Sequence, residues 1–336
     1  MRQPFRPTCR VAHAPGDRLT ITCCSPFYYK NKLMTSRVVK QRLVQCVKEE
    51  TGEDIVSAPI RLIATDLDGT LLRSDGTVSE RTRRAIAHAR EAGIAVVLVT
   101  ARSPRTLRPL AQQIGVTGLA ICLNGAVVYD LSTEAIVAHT PLSSAVAQRL
   151  VSALRATVPD VCFAVERGVQ AGHDPRYAAL RPIVDDHPSL IADALTLCAE
   201  DVTKLLVHHP AMPLPDLLRT TREIAGEAAV VTHSSILFVE VSAAGVTKAT
   251  ALERLCAHLG VDAAAVVACG DMPNDLPMLH WAGHSVAVAN AHPDVLAAVA
   301  EVTLFNDEDG VARVLERETA LVVAARQRDT EDGGSP

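Results

Sequence analysis

A chain of 336 residues is long enough for two domains and a sizeable core. Hydrophobic residues make up 48% of it and aromatic ones only 3%, so the core must be built from Ala, Val, Leu and Ile, as in α/β proteins. A formal net charge of −5 gives no reason to expect nucleic-acid or anionic-membrane binding, and no apolar run approaches the length of a membrane span. The nine Cys are odd in number, scattered and without a Cys-x-x-Cys pair. That pattern suits free, buried thiols in a reducing cytoplasm better than a disulfide frame or a zinc site.

Residues 1–58 differ from the remainder. They are rich in Arg and Lys, hold Cys9, Cys23, Cys24 and Cys46, and include Pro4, Pro7, Pro15 and Pro26. Apolar periodicity is weak until Val38–Glu50, where a short helix is expected. No signal-peptide core is present, and the prolines suit an amphipathic transit helix poorly. The expectation is a largely disordered extension, or one lying upstream of a start at Met34.

From Ile60 the pattern alternates strand and helix. Ile60–Thr65 is an apolar run too short for a helix, ending in Asp66-x-Asp68-Gly69-Thr70. Glu80–Ala92 carries Ala85, Ile86 and Ala89 at helical spacing, with Gly93 where a C-cap belongs. Ile94–Val99 predicts a second strand, ending in Thr100-Ala101-Arg102. Arg105–Ile114 predicts a helix, and Leu119–Leu123 a third strand ending in Asn124-Gly125. Such alternation implies parallel βαβ units whose strand ends share one edge. Asp66, Asp68, Thr100, Arg102 and Asn124 would then line one crevice, where ligands of open α/β sheets bind.

The stretch 141–238 breaks this rhythm. Helices at Ser143–Thr157 and Leu214–Ala225 and strands at Val161–Glu166 and Lys204–His208 read as an inserted α+β module. The polar segment Arg167–Asp186 reads either as a solvated loop or, with Glu166, Arg167, His173, Asp174, Arg176 and Tyr177, as a substrate-contacting one. His208 and His209 lack metal-ligand spacing and read as packing or surface residues, and Trp281 as core. The first domain resumes over 239–317, with a helix at Lys248–Gly260 and a strand at Ala264–Ala268. Gly270-Asp271-Met272-Pro273-Asn274-Asp275 closes that strand, and Ser285–Val288 forms another. Residues 318–336 are polar and read as a disordered tail.

The acids decide the chemistry. Two carboxylates spaced i, i+2 at a strand end hold a cation or divide nucleophilic and acid/base work; the bland alternative is an Asp-Gly turn. Asp66 and Asp271, brought to neighbouring strand ends, suit Mg²⁺ together with a phosphoryl group. Lys248, opening a helix, adds an ammonium and the helix dipole, and Thr100 a hydroxyl. Asp66 would attack phosphorus, and Asp68 would protonate the leaving oxygen and then activate water. Singly, Asp-x-Asp, Thr100 and Lys248 are weak signals; their order along the chain is the strong one.

These motifs resemble those of the haloacid dehalogenase (HAD) superfamily of phosphatases, and within it the Cof-type, subclass IIB hydrolases. Asp66-x-Asp68-Gly69-Thr70-Leu71, Thr100, Lys248 and Gly270-Asp271-x-x-Asn274-Asp275 match its four motifs in order. Asn124-Gly125-Ala126, Val286–Ala291 and Asn306–Val311 resemble further signatures. Ala101 and Ala249 depart from the glycines usual there. The resemblance spans about Ile60 to Arg317. It implies a Rossmann-like three-layer α/β core, residues 59–140 and 239–317, with a C2-type cap inserted over 141–238. It also implies that Asp66, the Asp68 carbonyl and Asp271 hold Mg²⁺ with support from Asp275, and that Thr100, Lys248 and Asn274 contact the phosphoryl group. Arg102 and Asn124 join that phosphate-binding set by their place at the strand ends. The function expected is hydrolysis of small phosphorylated metabolites. A phosphomutase shares the Asp-x-Asp chemistry, and a receiver-like phospho-acceptor is disfavoured by chain length and by the position of the acidic pair. Neither substrate nor oligomeric state is legible.

Overall fold

The computed structural model describes residues 9–14, 18–23, 59–180 and 189–332. The chain divides into two units, Met1–Ser57 and Ala58–Pro336. In the first, β1 (Cys9–Ala14) pairs antiparallel with β2 (Arg18–Cys23), with Cys9 opposite Cys23 and Ala14 opposite Arg18. Both segments carry β-branched or aliphatic residues, and the rest of residues 1–58, where disorder is expected, lies outside the described residues. The helix expected at 38–50 lies outside the described residues.

In the second unit, β3 (Leu62–Thr65) is fully buried, as a central strand covered on both faces must be. Helix α1 (Glu80–Glu91) begins where the Ser79 hydroxyl accepts from the Thr82 amide. β4 (Ala95–Leu98) follows, then α2 (Pro104–Ile114), which opens on a proline and ends at Gly115 in the left-handed region. β5 (Leu119–Cys122) joins the parallel sheet only through a Val99–Ile121 bridge and continues antiparallel into β6 (Val127–Asp130) and β7 (Ala135–His139).

The inserted module contains α3 (Ser144–Thr157), β8 (Cys162–Arg167), β9 (Gln170–His173), α4 (Pro175–Leu180), β10 (Leu190–Ile191), α5 (Ala194–Leu197), β11 (Lys204–His208), α6 (Leu214–Ala225), β12 (Ala229–Thr232) and β13 (Val239–Ala243). Its six strands run in the order β10-β9-β8-β11-β13-β12. Phe163, Val165, Leu205, Val207, Val239 and Val241 alternate onto one face and bury a second apolar core against residues of α3, α5 and α6. Two sequence expectations change here. β13 pairs with β11 and β12, so the chain leaves this sheet after Ala243 rather than at 238. The polar segment after Glu166 is not a simple loop: it contains β9 and α4, with His173, Asp174 and Tyr177 buried.

The chain returns through α7 (Lys248–Leu259), β14 (Val266–Gly270), α8 (Leu276–Trp281), β15 (His284–Ala287), α9 (Pro293–Ala298), β16 (Glu301–Val302) and α10 (Gly310–Asp332). Strand β14 sits two residues later than its apolar run suggested, because Ala263–Ala265 form a 3₁₀ turn. The parallel sheet has the order β16-β15-β14-β3-β4, which sets β3 and β14 side by side, with Leu62 opposite Val266. Trp281 packs against the main core. Cys122, Cys162, Cys198, Cys256 and Cys269 are free and buried, as read from sequence. No helix among the described residues is long and apolar enough to cross a membrane.

The expected tail is also corrected. α10 runs unbroken past Arg317 to Asp332 and packs on α1, burying Val311, Val314, Leu315 and Val322. Its exposed side is mostly charged or polar past Ala324, with Leu321 and Val323 also exposed, which is why the segment reads as solvated. Val322→Asp should therefore destabilise the protein by about 1–3 kcal/mol in urea unfolding, as a charge forced into a packed contact does. An unchanged midpoint would mean that this part of α10 does not pack.

Candidate active site

Four strand ends meet at one edge of the parallel sheet. Asp66 follows β3, and its amide still donates to the Cys269 carbonyl of β14 at 3.0 Å, so its carboxylate leaves the sheet beside that strand. Asp271 follows β14. Thr100 lies just beyond β4, its amide donating to the Ile121 carbonyl, and the Asn124 amide donates in turn to the Thr100 carbonyl.

The chain after Asp66 turns sharply. The Leu72 amide donates to the Leu67 carbonyl at 2.9 Å, and Gly69 adopts φ +80° inside that turn. A Cβ on Gly69 would stand 2.5 Å from Asp271 Oδ2, so only glycine lets the turn approach that carboxylate. The Thr70 hydroxyl donates to Asp271 Oδ1 at 2.5 Å. Asn290 donates to the Gly69 carbonyl at 2.7 Å, and Asn306 to the Leu72 carbonyl at 2.9 Å. The two asparagines whose segments looked like signatures thus brace the loop from outside the reacting groups.

Lys248 is the first residue of α7, a helix capped by Thr247 and Thr250. Its ammonium, fully buried, donates at 2.7 Å both to Asp66 Oδ1 and to Asp275 Oδ1. Burial alone would lower the Lys248 pKa, but Asp275 and Asp66 outweigh it and hold the proton firmly. Asp275 Oδ2 accepts the amides of Asp271 and Met272, each at 3.0 Å. Both Asp275 oxygens are therefore engaged, one fixing Lys248 and the other the turn after β14.

The carboxylate oxygens of Asp66, Asp271 and Asp275 lie within 4.8 Å of one another, all buried. Three carboxylates face one ammonium. Burial raises the Asp66 carboxyl well above its ordinary range; Lys248 opposes this, while Asp275 and Asp271 add to it. Asp271 is pushed up to about 7, by burial first and Asp275 second. Excess negative charge among hard oxygen donors fits a divalent cation of the Mg²⁺ class.

The remaining candidates occupy different places. The Asp68 side chain is half exposed and turned outward, gripped by the Arg102 guanidinium at 2.6 and 2.7 Å. Arg102, expected at the phosphate, is engaged with Asp68 instead. Thr100 is buried, its hydroxyl accepting the Arg102 amide. Asn274 Nδ2 donates to Asn124 Oδ1 at 3.1 Å, with Asn124 in the left-handed region at φ +59°. Of the inserted segment, Glu166 pairs with Arg105, Arg167 with Glu200 and Arg176 with Asp160. Asp174 accepts the Phe163 and Tyr177 amides. His208 and His209 bond to main-chain groups, as packing residues do. Sequence reasoning assigned no role to Thr70 or to Lys204 and Glu240. Thr70 lies inside the quoted motif, whereas nothing local marks a lysine or glutamate in an apolar strand as functional.

Residues 63–315 match the family model described as haloacid dehalogenase-like hydrolase. The chain is 30% identical over 266 residues to the 5-amino-6-(5-phospho-D-ribitylamino)uracil phosphatase YitU of Bacillus subtilis, covering 77% of this chain and 98% of that one. It is 28% identical over 269 residues to the pyridoxal phosphate phosphatase YbhA of Escherichia coli, covering 76% and 97%. The solved structure of the HAD subclass IIB sugar phosphatase BT4131 shares the fold, with a TM-score of 0.68 at 18% identity over 76% of this chain and 98% of that one.

Replacing Lys248 by Met keeps the side-chain length and leaves Asp66 and Asp275 buried without a counter-charge. A loss of about 3–5 kcal/mol at pH 7 is expected, the range for breaking a buried pair from one side. The loss should shrink at pH 4, where the carboxyls take up protons. Equal losses at both pH values in denaturant titrations would contradict this charge balance.

Proposed function

The chain belongs to the haloacid dehalogenase-like hydrolases and is a phosphatase of that family; within it, we propose Mg²⁺-dependent hydrolysis of small phosphorylated metabolites through an aspartyl-phosphate. The relatives named above act on a phosphorylated ribitylaminouracil and on pyridoxal phosphate, which supports phosphomonoesters of sugars or cofactors as the substrate class. The observation that carries the reading is the buried Asp66–Lys248–Asp275 bridge with Asp271 beside it.

Asp66 acts as the nucleophile. Its carboxylate oxygen bonds to phosphorus as the bond from phosphorus to the leaving oxygen breaks. Lys248 favours the ionised form of that carboxylate and holds it in place, and with Thr100 and Asn274 it contacts the phosphoryl oxygens. Asp68, at the mouth, gives its proton to the leaving oxygen, then takes one from the water that attacks the phosphoryl group and frees Asp66. Arg102 holds Asp68 in that position and releases it as substrate enters. Asp66, Asp271 and the Asp68 carbonyl would hold Mg²⁺, with Asp275 in support. The metal, when bound, neutralises charge between an anionic nucleophile and an anionic substrate. The scattered, buried thiols suit a cytoplasmic setting.

Asp66→Asn preserves volume and polarity, so the fold should remain while phosphate release from a phosphomonoester panel falls more than about a thousandfold. Activity within tenfold of wild type would rule out covalent catalysis by this residue.

The raised Asp271 carboxyl also sets a pH dependence. The folded, metal-free protein keeps a proton that the unfolded chain releases near its ordinary 3.8, and loses it only near pH 7. Between those values the native state binds more protons than the unfolded one, so metal-free stability falls as pH rises. Mg²⁺ competes with that proton. It should raise the melting temperature more at pH 8 than at pH 5, and equal shifts would remove Asp271 from the metal site.

A further inference from the structure

One ion pair and one hydrogen bond from a buried lysine tie the inserted sheet to residues 101–105, the end of the β4–α2 connection and the first turn of α2, beside site residues. Glu166, Lys204 and Glu240 alternate onto the sheet face opposite the second apolar core. Glu166 and Lys204 are direct cross-strand partners, and Glu240 lies diagonally from Lys204. Arg105, at the start of α2, forks onto Glu166. Lys204 Nζ donates to Glu240 Oε1 at 2.5 Å and to the main-chain carbonyl of Ala101 at 2.8 Å. The insert thus grips Ala101, between Thr100 and Arg102, and Arg105 in the first turn of α2.

Glu240 reaches toward a second part of the site. Burial would raise its carboxyl, yet Lys204 first, then Ser234 and Asn124, hold it below the ordinary value. The Asn124 side-chain amide is close enough to stabilise this carboxylate, and both Asn124 Nδ2 and Glu240 Oε2 are buried without a hydrogen-bond partner. The other end of the Asn124 side chain accepts from Asn274. Lys204, Glu240, Asn124 and Asn274 are at least nine-tenths buried, and Arg105 and Glu166 nearly so. Apolar residues of similar volume would pack such a seam about as stably, so its charges contribute geometry rather than cohesion.

We infer that Lys204 and Glu240 are positioning residues of the insert, which by holding the Ala101 carbonyl and facing the Asn124 amide set Thr100, Arg102 and Asn274 for phosphoryl transfer. This rests on the phosphatase reading above. A contact that orders the site without touching substrate acts on kcat more than on KM.

The test is Lys204→Met/Glu240→Gln, which removes both charges at nearly constant volume and leaves no buried charge unpaired. With p-nitrophenyl phosphate as the probe, kcat per folded molecule should fall at least tenfold and KM change less than threefold. Inhibition by vanadate, which mimics the phosphoryl group in transfer, should weaken in proportion to kcat. A purely structural pair would lower the folded fraction and leave kcat per folded molecule and vanadate affinity unchanged, which would overturn the inference. Lys204→Met/Glu240→Leu, which replaces both charges by apolar side chains, guards against misfolding of the first variant and should also lose at least tenfold in kcat per folded molecule; no loss there counts equally against it. Wild-type turnover measured alongside separates the two readings. An inactive wild type overturns the function and this inference with it, whereas an active wild type with unaltered variants overturns the inference alone.

Discussion

One buried ammonium shared between two buried carboxylates governs this molecule. Lys248 touches Asp66 and Asp275 in a place where water contributes little screening, and a third carboxylate, Asp271, stands alongside. Removing any charge from water is costly, so such a group persists only where the fold over-determines it. Here the fold does so from several directions: Lys248 begins a capped helix, Asp66 remains in the β3–β14 ladder, and Asp275 is pinned by two amides. The uncompensated negative charge makes the site receptive to a cation, and a cation beside an ammonium makes it receptive to a phosphoryl group.

Backbone shape matters as much as charge. The turn after Asp66 passes so close to Asp271 that residue 69 cannot carry a side chain. Gly270 is confined in the same way, since a Cβ there would stand 2.6 Å from the Asp275 Cβ. Asn290 and Asn306, more than 200 positions later, hold the outer side of that turn through its carbonyls. The loop after Asp66 is thus held on its outer side by residues from the far end of the sequence.

The insert adds a different constraint. Its apolar core is separate from that of the parallel sheet, and the two are joined over the site by polar contacts: Arg105 with Glu166, Lys204 with the Ala101 carbonyl, and His139 with Thr203. Charged seams are geometrically selective where apolar ones tolerate sliding, because a hydrogen bond is lost within a fraction of an ångström.

The sequence by itself determined the strand-ending acids, their order, and the fold class, because short apolar runs followed by Asp, Thr or Asn are local patterns with local causes. It also marked Thr100, Lys248 and Asn274, which tertiary structure then gathered at one sheet edge. It misjudged the C-terminal segment, where a largely polar stretch continues α10 and hides Val322 in the main core. It also misplaced the return from the insert, because Val239–Ala243 reads equally well as a strand of either sheet. Arg102 on Asp68, Thr70 on Asp271, and the Lys204–Glu240 pair on Ala101 belong to tertiary structure alone. Each joins residues 34 to 201 positions apart, and partners so distant are fixed by strand order and packing, which no local window of sequence contains.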